Sequence, residues 1–123
     1  MLKLCRIDLE RSEEIYKKID AYKNHLVEKL NPEKILLFGS FARGDFNECS
    51  DIDLLVIHDW KEAFLDRIKV LLDLNEAGLP LEPVGYTREE FNRMQNEGNS
   101  FIADIASKGK TIYSRNHLPI TDR

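Results

Sequence analysis

No apolar run in the sequence approaches the ~20 residues that a membrane span requires, and the amino terminus lacks the charged-then-apolar layout of a secretion signal. Both absences point to a cytoplasmic protein with no membrane partner. Cysteine is scarce. Cys5 and Cys49 stand far apart, and neither has a neighbour at the C-x-x-C spacing of a zinc or redox site, so they read as reduced thiols, with a bridge between them left open. Basic charge is not in excess either: 18 Lys and Arg face 22 Asp and Glu, for a formal net charge of -4. That balance excludes a global field able to hold a nucleic-acid backbone, although it leaves room for a local basic groove. There is no internal repeat, no linker and no low-complexity tract. What is there is a chain of 123 residues, 33% charged and 42% hydrophobic, long enough for one core and too apolar for disorder. The expected organisation is a single domain over 1–115 followed by a polar tail over 116–123.

Apolar residues at Ile15, Ile19, Tyr22, Leu26 and Leu30 recur at steps of three and four, which predicts a helix between Asp8 and Leu30. Ser12 or Asp8 would cap it, and Asn31-Pro32 would stop it. "KILLFG" and "DIDLLVIH" are short apolar runs and read as strands joined by a turn-rich loop containing Gly44, Asp45 and Asn47. A helix with Phe64, Leu65, Ile68, Leu71 and Leu72 on its buried face follows, capped by Asp59 and stopped by Gly78. Two prolines mark "LPLEPVGYT" as a short or edge strand. Thr87 and Glu90 have the spacing of a capping box for the next helix. Asn99 or Ser100 opens another helix, "FIADIASKG", ended by Gly109 before a last strand, "KTIYS".

The charge at the start of "DIDLLVIH" is the feature that a buried strand does not explain. In a strand, Asp51 and Asp53 project to one side and Ile52 to the other. Two carboxylates that close repel each other unless a cation or a proton lies between them. Mg²⁺ takes oxygen ligands and is typically held by one or two carboxylates together with substrate phosphates. An isolated D-x-D more often faces water on an edge strand. Here, however, Gly39-Ser40 ends the preceding strand at a turn whose backbone N–H groups and hydroxyl suit a phosphate. Arg43 lies in the same turn, where it pairs either with a phosphate oxygen or with Asp45.

Together, G-S-x-x-R-G followed by S-D-I-D-L-L-V resembles the signature of the minimal nucleotidyltransferase (MNT) family, within the DNA polymerase beta-like nucleotidyltransferase superfamily. The matching residues are Gly39, Ser40, Arg43, Gly44, Ser50, Asp51 and Asp53. The resemblance implies an α/β (α+β) nucleotidyltransferase fold, a small mixed β-sheet packed against helices. It also implies transfer of a nucleoside monophosphate from a nucleoside triphosphate, ATP or another, to an acceptor hydroxyl. In that scheme two Mg²⁺ ions are held by Asp51, Asp53 and a third carboxylate, while Gly39, Ser40, Arg43, Gly44 and Ser50 form the nucleotide- and phosphate-binding segment. The family usually has aspartate at the third position. Glu82 in "PLEPVGY" occupies it here, one methylene longer, with a surface charge beside a proline as the equal alternative.

Proteins resembling this chain often serve as the antitoxin of a two-gene system, paired with a helical HEPN-type toxin. The resemblance therefore implies AMP transfer to that partner, or a non-catalytic module that neutralises it by binding and retains a nucleotide pocket. Transfer to an aminoglycoside-like small molecule is a third, weaker reading. Stable nucleic-acid binding is not expected, and homo- or hetero-oligomers remain open. His25 and His117 read as solvated, and His58, at an odd offset from Asp53, falls on the opposite strand face. Trp60 reads as a packing residue at the start of a helix, and Leu2, Leu4 and Ile7 read as core or a partner surface.

Overall fold

The computed structural model describes residues 12–115. Its first element is the helix that the apolar spacing predicts: α1 (Ser12–Leu30) buries Ile15, Ile19, Tyr22 and Leu26. Ser12 lies within the helix, while Asp8, Leu2, Leu4, Ile7 and Cys5 lie outside the described residues. Asn31 ends it at a left-handed φ of 50°, and Pro32 prevents its continuation. There follow β1 (Lys34–Phe38), α2 (Ser40–Arg43), β2 (Ile52–Ile57), α3 (Phe64–Asp73), β3 (Leu81–Tyr86), α4 (Arg88–Asn96), α5 (Ser100–Lys108) and β4 (Lys110–Ser114).

The strands form one mixed sheet in the order β3-β2-β1-β4. β1 runs antiparallel to β2 and β4, whereas β2 and β3 are parallel, as the intervening α3 crossover allows. The fold is thus the small mixed α/β sheet expected from the sequence. Its two central strands are covered on both faces. Ile35, Leu37, Ile52, Leu54 and Val56 pack towards α1 and Leu71, and Leu36, Leu55 and Ile57 pack towards Phe91, Ile102 and Ile105 of α4 and α5. Burial on both sides is why these strands read as continuous apolar runs. The Tyr22 hydroxyl donates to the Leu71 carbonyl at 2.5 Å, tying α1 to α3, and burial raises its pKa above the ordinary phenol value.

α3 departs from the expected pattern. Leu71 is buried, but Leu65 is 75% exposed and Leu72 44%, and the other buried residue of the helix is Arg67. The guanidinium meets a full set of acceptors: the Glu62 carbonyl at 2.8 Å, the Gly85 carbonyl at 3.2 Å, and both Glu90 oxygens at 2.7 and 3.2 Å. A charge so paired tolerates burial, and it rotates the helix so that the leucines expected inside face outward. Asp59 does not cap this helix but pairs with Lys61, and the N-cap is Ala63, without a side-chain bond. Nor does Gly78 end it: the helix stops at Asp73, and Gly78 (φ 69°) belongs to a later turn that Asn75 closes on Leu79.

Trp60 precedes α3 rather than starting it. Its indole donates to the Val56 carbonyl at 3.3 Å and lies against β3 so closely that a Cβ at Gly85 would fall 2.8 Å from the ring. The Thr87–Glu90 capping box and the Asn99 cap form as expected, and α5 ends at Gly109. His25, on α1, is half-buried, with Nε2 3.5 Å from the exposed Glu76 of the loop after α3. His117 lies outside the described residues. Cys49 is disulfide-bonded, which replaces the reduced-thiol reading at that position.

The hydrogen bond from Arg67 holds the Glu90 carboxyl below the ordinary glutamate range. A depressed folded-state pKa stabilises above the unfolded value and stops doing so as pH falls through the folded one. Glu90→Gln is therefore expected to cost about 2 kcal/mol at pH 7 in urea unfolding. The gap from wild type should close as pH falls below the ordinary glutamate range and the wild-type carboxyl protonates. A gap independent of pH would contradict this account.

Candidate active site

The site begins where β1 stops. Gly39 has φ 71° and ψ -153°, a combination essentially confined to glycine. A Cβ there would lie 2.2 Å from Oδ2 of Asp53, so the backbone of this turn rests directly against that carboxylate. α2 is a single turn in which the Ala42 and Arg43 N–H groups bond to the Gly39 carbonyl at 3.1 Å each. The N–H groups of Ser40 and Phe41 start the turn and so stand outside its hydrogen-bond ladder. An aromatic cluster anchors the turn: Phe41 stacks on Phe46 at 4.2 Å, and Tyr16 of α1 meets both rings edge-on while its hydroxyl donates to the Phe41 carbonyl at 3.2 Å.

β2 carries Asp53 opposite Phe38 of β1 and in register with Glu82 of β3. Glu82 hydrogen-bonds Asp53, and Asp51 two residues earlier adds a further negative charge. These neighbours and partial burial act together. Burial first, then the charge and hydrogen bond of Glu82 and the charge of Asp51, push the Asp53 carboxyl up to about 6, against the opposing charge of Arg43. Like charges pressed together in this way disfavour the ionised form of Asp53.

The remaining sequence-derived residues take distinct places. Arg43 is exposed, with Nε donating to Asp45 at 3.1 Å, but its charge reaches Asp53. Ser40 is half-buried at the start of α2. Gly44, at φ 85°, closes α2 with open space around it, so it shapes the turn without a close approach to any group. The Ser50 hydroxyl accepts from the Asn47 N–H at 2.8 Å, and the Asn47 side chain accepts from the Cys49 N–H at 2.8 Å. These bonds set the loop that delivers Asp51. Structure thus brings Gly39, Asp53 and Glu82 into contact, with Asp51 and Arg43 close enough to act on Asp53.

The donors are carboxylate oxygens, the kind a hard divalent cation takes, and crowded negative charge is what such a cation relieves. Among the described residues, no group of three or more His, Cys, Asp or Glu is already converged to hold an ion. His58 does not join them. It follows β2 at the far end of the sheet, edge-on to Trp60 at 4.9 Å with Nδ1 buried and unpartnered, and burial lowers its pKa.

Sequence reasoning missed an aromatic pair beside the acids. Phe38 meets Phe101, from the first turn of α5, at 5.6 Å and 84°. Position 101 reads only as one apolar residue of a helix, and nothing in its local pattern signals that the fold carries it to this face.

The polymerase beta nucleotidyltransferase family matches residues 17–118. A Methanocaldococcus jannaschii protein named "putative protein adenylyltransferase MJ0604" is 35% identical over 81 residues, 66% of this chain and 78% of that protein. A second from the same organism, "putative protein adenylyltransferase MJ1305", is 34% identical over 90 residues, 68% of this chain and 60% of that protein. The crystal structure of a "putative nucleotidyltransferase" from Sulfolobus solfataricus superposes with a TM-score of 0.62 at 18% identity, over 87% of this chain and 86% of that one, and so shares the fold.

Two outcomes follow from the Asp53 environment. Its raised pKa means that the folded state binds a proton the unfolded state releases, so metal-free protein gains stability as pH falls from above 6 towards 4. Asp53→Asn is expected to raise metal-free stability at pH 7 by about 1–2 kcal/mol, a value reduced for the group's partial exposure, with the gain vanishing near pH 4 in thermal melts. Gly39→Ala is expected to lose about 1–3 kcal/mol through the strained φ alone. It should also displace the Asp53 carboxylate, visible as a changed Asp53 carboxyl titration by NMR.

Proposed function

The chain belongs to the polymerase beta nucleotidyltransferase family, and from that premise we propose that this nucleotidyltransferase is a Mg²⁺-dependent enzyme moving AMP from ATP to a hydroxyl on a partner protein. The observation that carries the reading is the contact of Asp53 with both the Gly39 backbone and Glu82. It puts a carboxylate pair against a glycine turn whose first N–H groups point out of the helical ladder. The names of the two Methanocaldococcus jannaschii relatives support a protein as acceptor and AMP as the group moved.

In this scheme the acceptor oxygen forms a bond to the α-phosphorus, the bond from that phosphorus to the β-phosphate oxygen breaks, and pyrophosphate leaves. Gly39 and Ser40 present backbone N–H groups and a hydroxyl to the phosphates. Arg43 exchanges Asp45 for a phosphate oxygen, while Gly44 and Ser50 keep the segment in shape. Glu82, in register beside Asp53, takes the acceptor proton. Asp51, Asp53 and Glu82 are the residues that would hold Mg²⁺. When bound, the metal supplies neutralisation of triphosphate charge and a lowered pKa at the attacking hydroxyl. The longer Glu82 side chain gives the third position more reach than aspartate would.

The partner in this reading is a HEPN-type toxin, with the chain acting as its antitoxin through the modification. The test is transfer of label from α-labelled ATP, with Mg²⁺, to such a partner, alongside small hydroxylated acceptors as controls. Asp51→Asn and Asp53→Asn are each expected to cut transfer by about 100-fold or more. Transfer that survives both changes would place the metal site elsewhere. Protection of cells by both variants would mean that binding alone neutralises the partner.

A further inference from the structure

We propose that Phe101, backed by Phe38, is the surface on which the base of the nucleoside triphosphate stacks. The inference rests on the phosphate and carboxylate site described above and adds its other end. Phe38 stands opposite Asp53 across the antiparallel β1–β2 pair, and residues so paired project to the same face with Cβ atoms about 5 Å apart. Phe38 is packed into the α4–α5 side of the sheet, the side on which Leu55 and Ile57 continue the Asp53 alternation. Phe101 meets it edge to face at 5.6 Å, yet remains 41% exposed. The Phe101 ring therefore stands one ring contact beyond Phe38, the cross-strand neighbour of Asp53, an order of acid, buttress and exposed ring that matches phosphate, ribose and base.

Packing alone does not require this arrangement. Ile102 and Ile105 already bury α5 against the sheet, so the aromatic residue at position 101 adds little to the core. Its position is fixed nonetheless. The Asn99 side chain accepts from the Ile102 N–H and sets the first turn of α5, and Phe38 buttresses the ring edge-on. A rigid, half-exposed aromatic ring presents a π-face, and stacking on such a face is open to any base.

The experiment measures equilibrium binding of ATP and of inorganic tripolyphosphate, each with Mg²⁺, to wild type, Phe101→Ala and Phe101→Tyr. Stacking predicts that Phe101→Ala weakens ATP by about tenfold, leaves tripolyphosphate unchanged, and is rescued by the ring-preserving tyrosine. Phe101→Ala that binds ATP as wild type does, or that loses ATP and tripolyphosphate equally, overturns the stacking surface. In both cases the phosphate site stands, because the wild type still binds tripolyphosphate. Wild type that binds neither compound overturns the phosphate site and the stacking surface together. Thermal melts of the alanine variant, expected to show one cooperative transition lowered only slightly because the ring is half-buried, separate a binding loss from unfolding.

Discussion

The Asp53 carboxylate occupies the space in which a side chain at position 39 would lie, and the rest of the site is arranged around that contact. It requires glycine at the end of β1, and the unusual backbone angles of Gly39 turn the chain straight into α2. The same contact sets the start of β2 beside the α2 turn, so that a carboxylate and a run of backbone N–H groups face a common space. Neither strand could slide by one residue without losing it, because a slip would send Asp53 to the α1 face and Ile52 to the acid cluster.

Stability and chemistry pull in opposite directions at this end of the sheet. β1 and β2 are enclosed on both faces over most of their length, which gives the small fold its core. At the mouth of β2 that enclosure continues far enough to desolvate Asp53, and Glu82 and Asp51 then crowd it. A carboxyl pushed up to about 6 is a destabilising group at neutral pH, and the fold retains it at the one place where charge can meet a ligand. The buried tie between Arg67 and Glu90 lies elsewhere, joining α3 to the start of α4 through the Gly85 carbonyl. It holds the outer strand β3 against the molecule, and so also holds Glu82 in register with Asp53.

Much of this was legible in the sequence. The helix over Ser12–Leu30, the two apolar strands, the capping box at Thr87 and the ends at Asn31 and Gly109 each follow from local chemistry that acts over a few residues. Asp51 and Asp53 announce themselves because charge at the mouth of a buried strand needs a reason. α3 was misjudged for the opposite cause. An apolar count places leucines inside and arginine outside, but Arg67 finds acceptors on Glu62, Gly85 and Glu90, which are separated from it by up to 23 residues.

Local spacing by itself determined which segments are helix or strand, and marked a glycine turn and two aspartates as the place to look, because periodicity, capping and strand alternation depend only on near neighbours. The family resemblance points to Glu82, with a surface charge as the equal alternative, and the tertiary structure decided that Glu82 meets Asp53, why position 39 must be glycine, and which aromatic rings flank the acids. Those relations depend on β2 and β3 lying in parallel register, on β1 pairing with β2, and on α5 packing back over Phe38. Contacts between residues far apart in the chain are set by the packing of whole elements, and no local pattern encodes them.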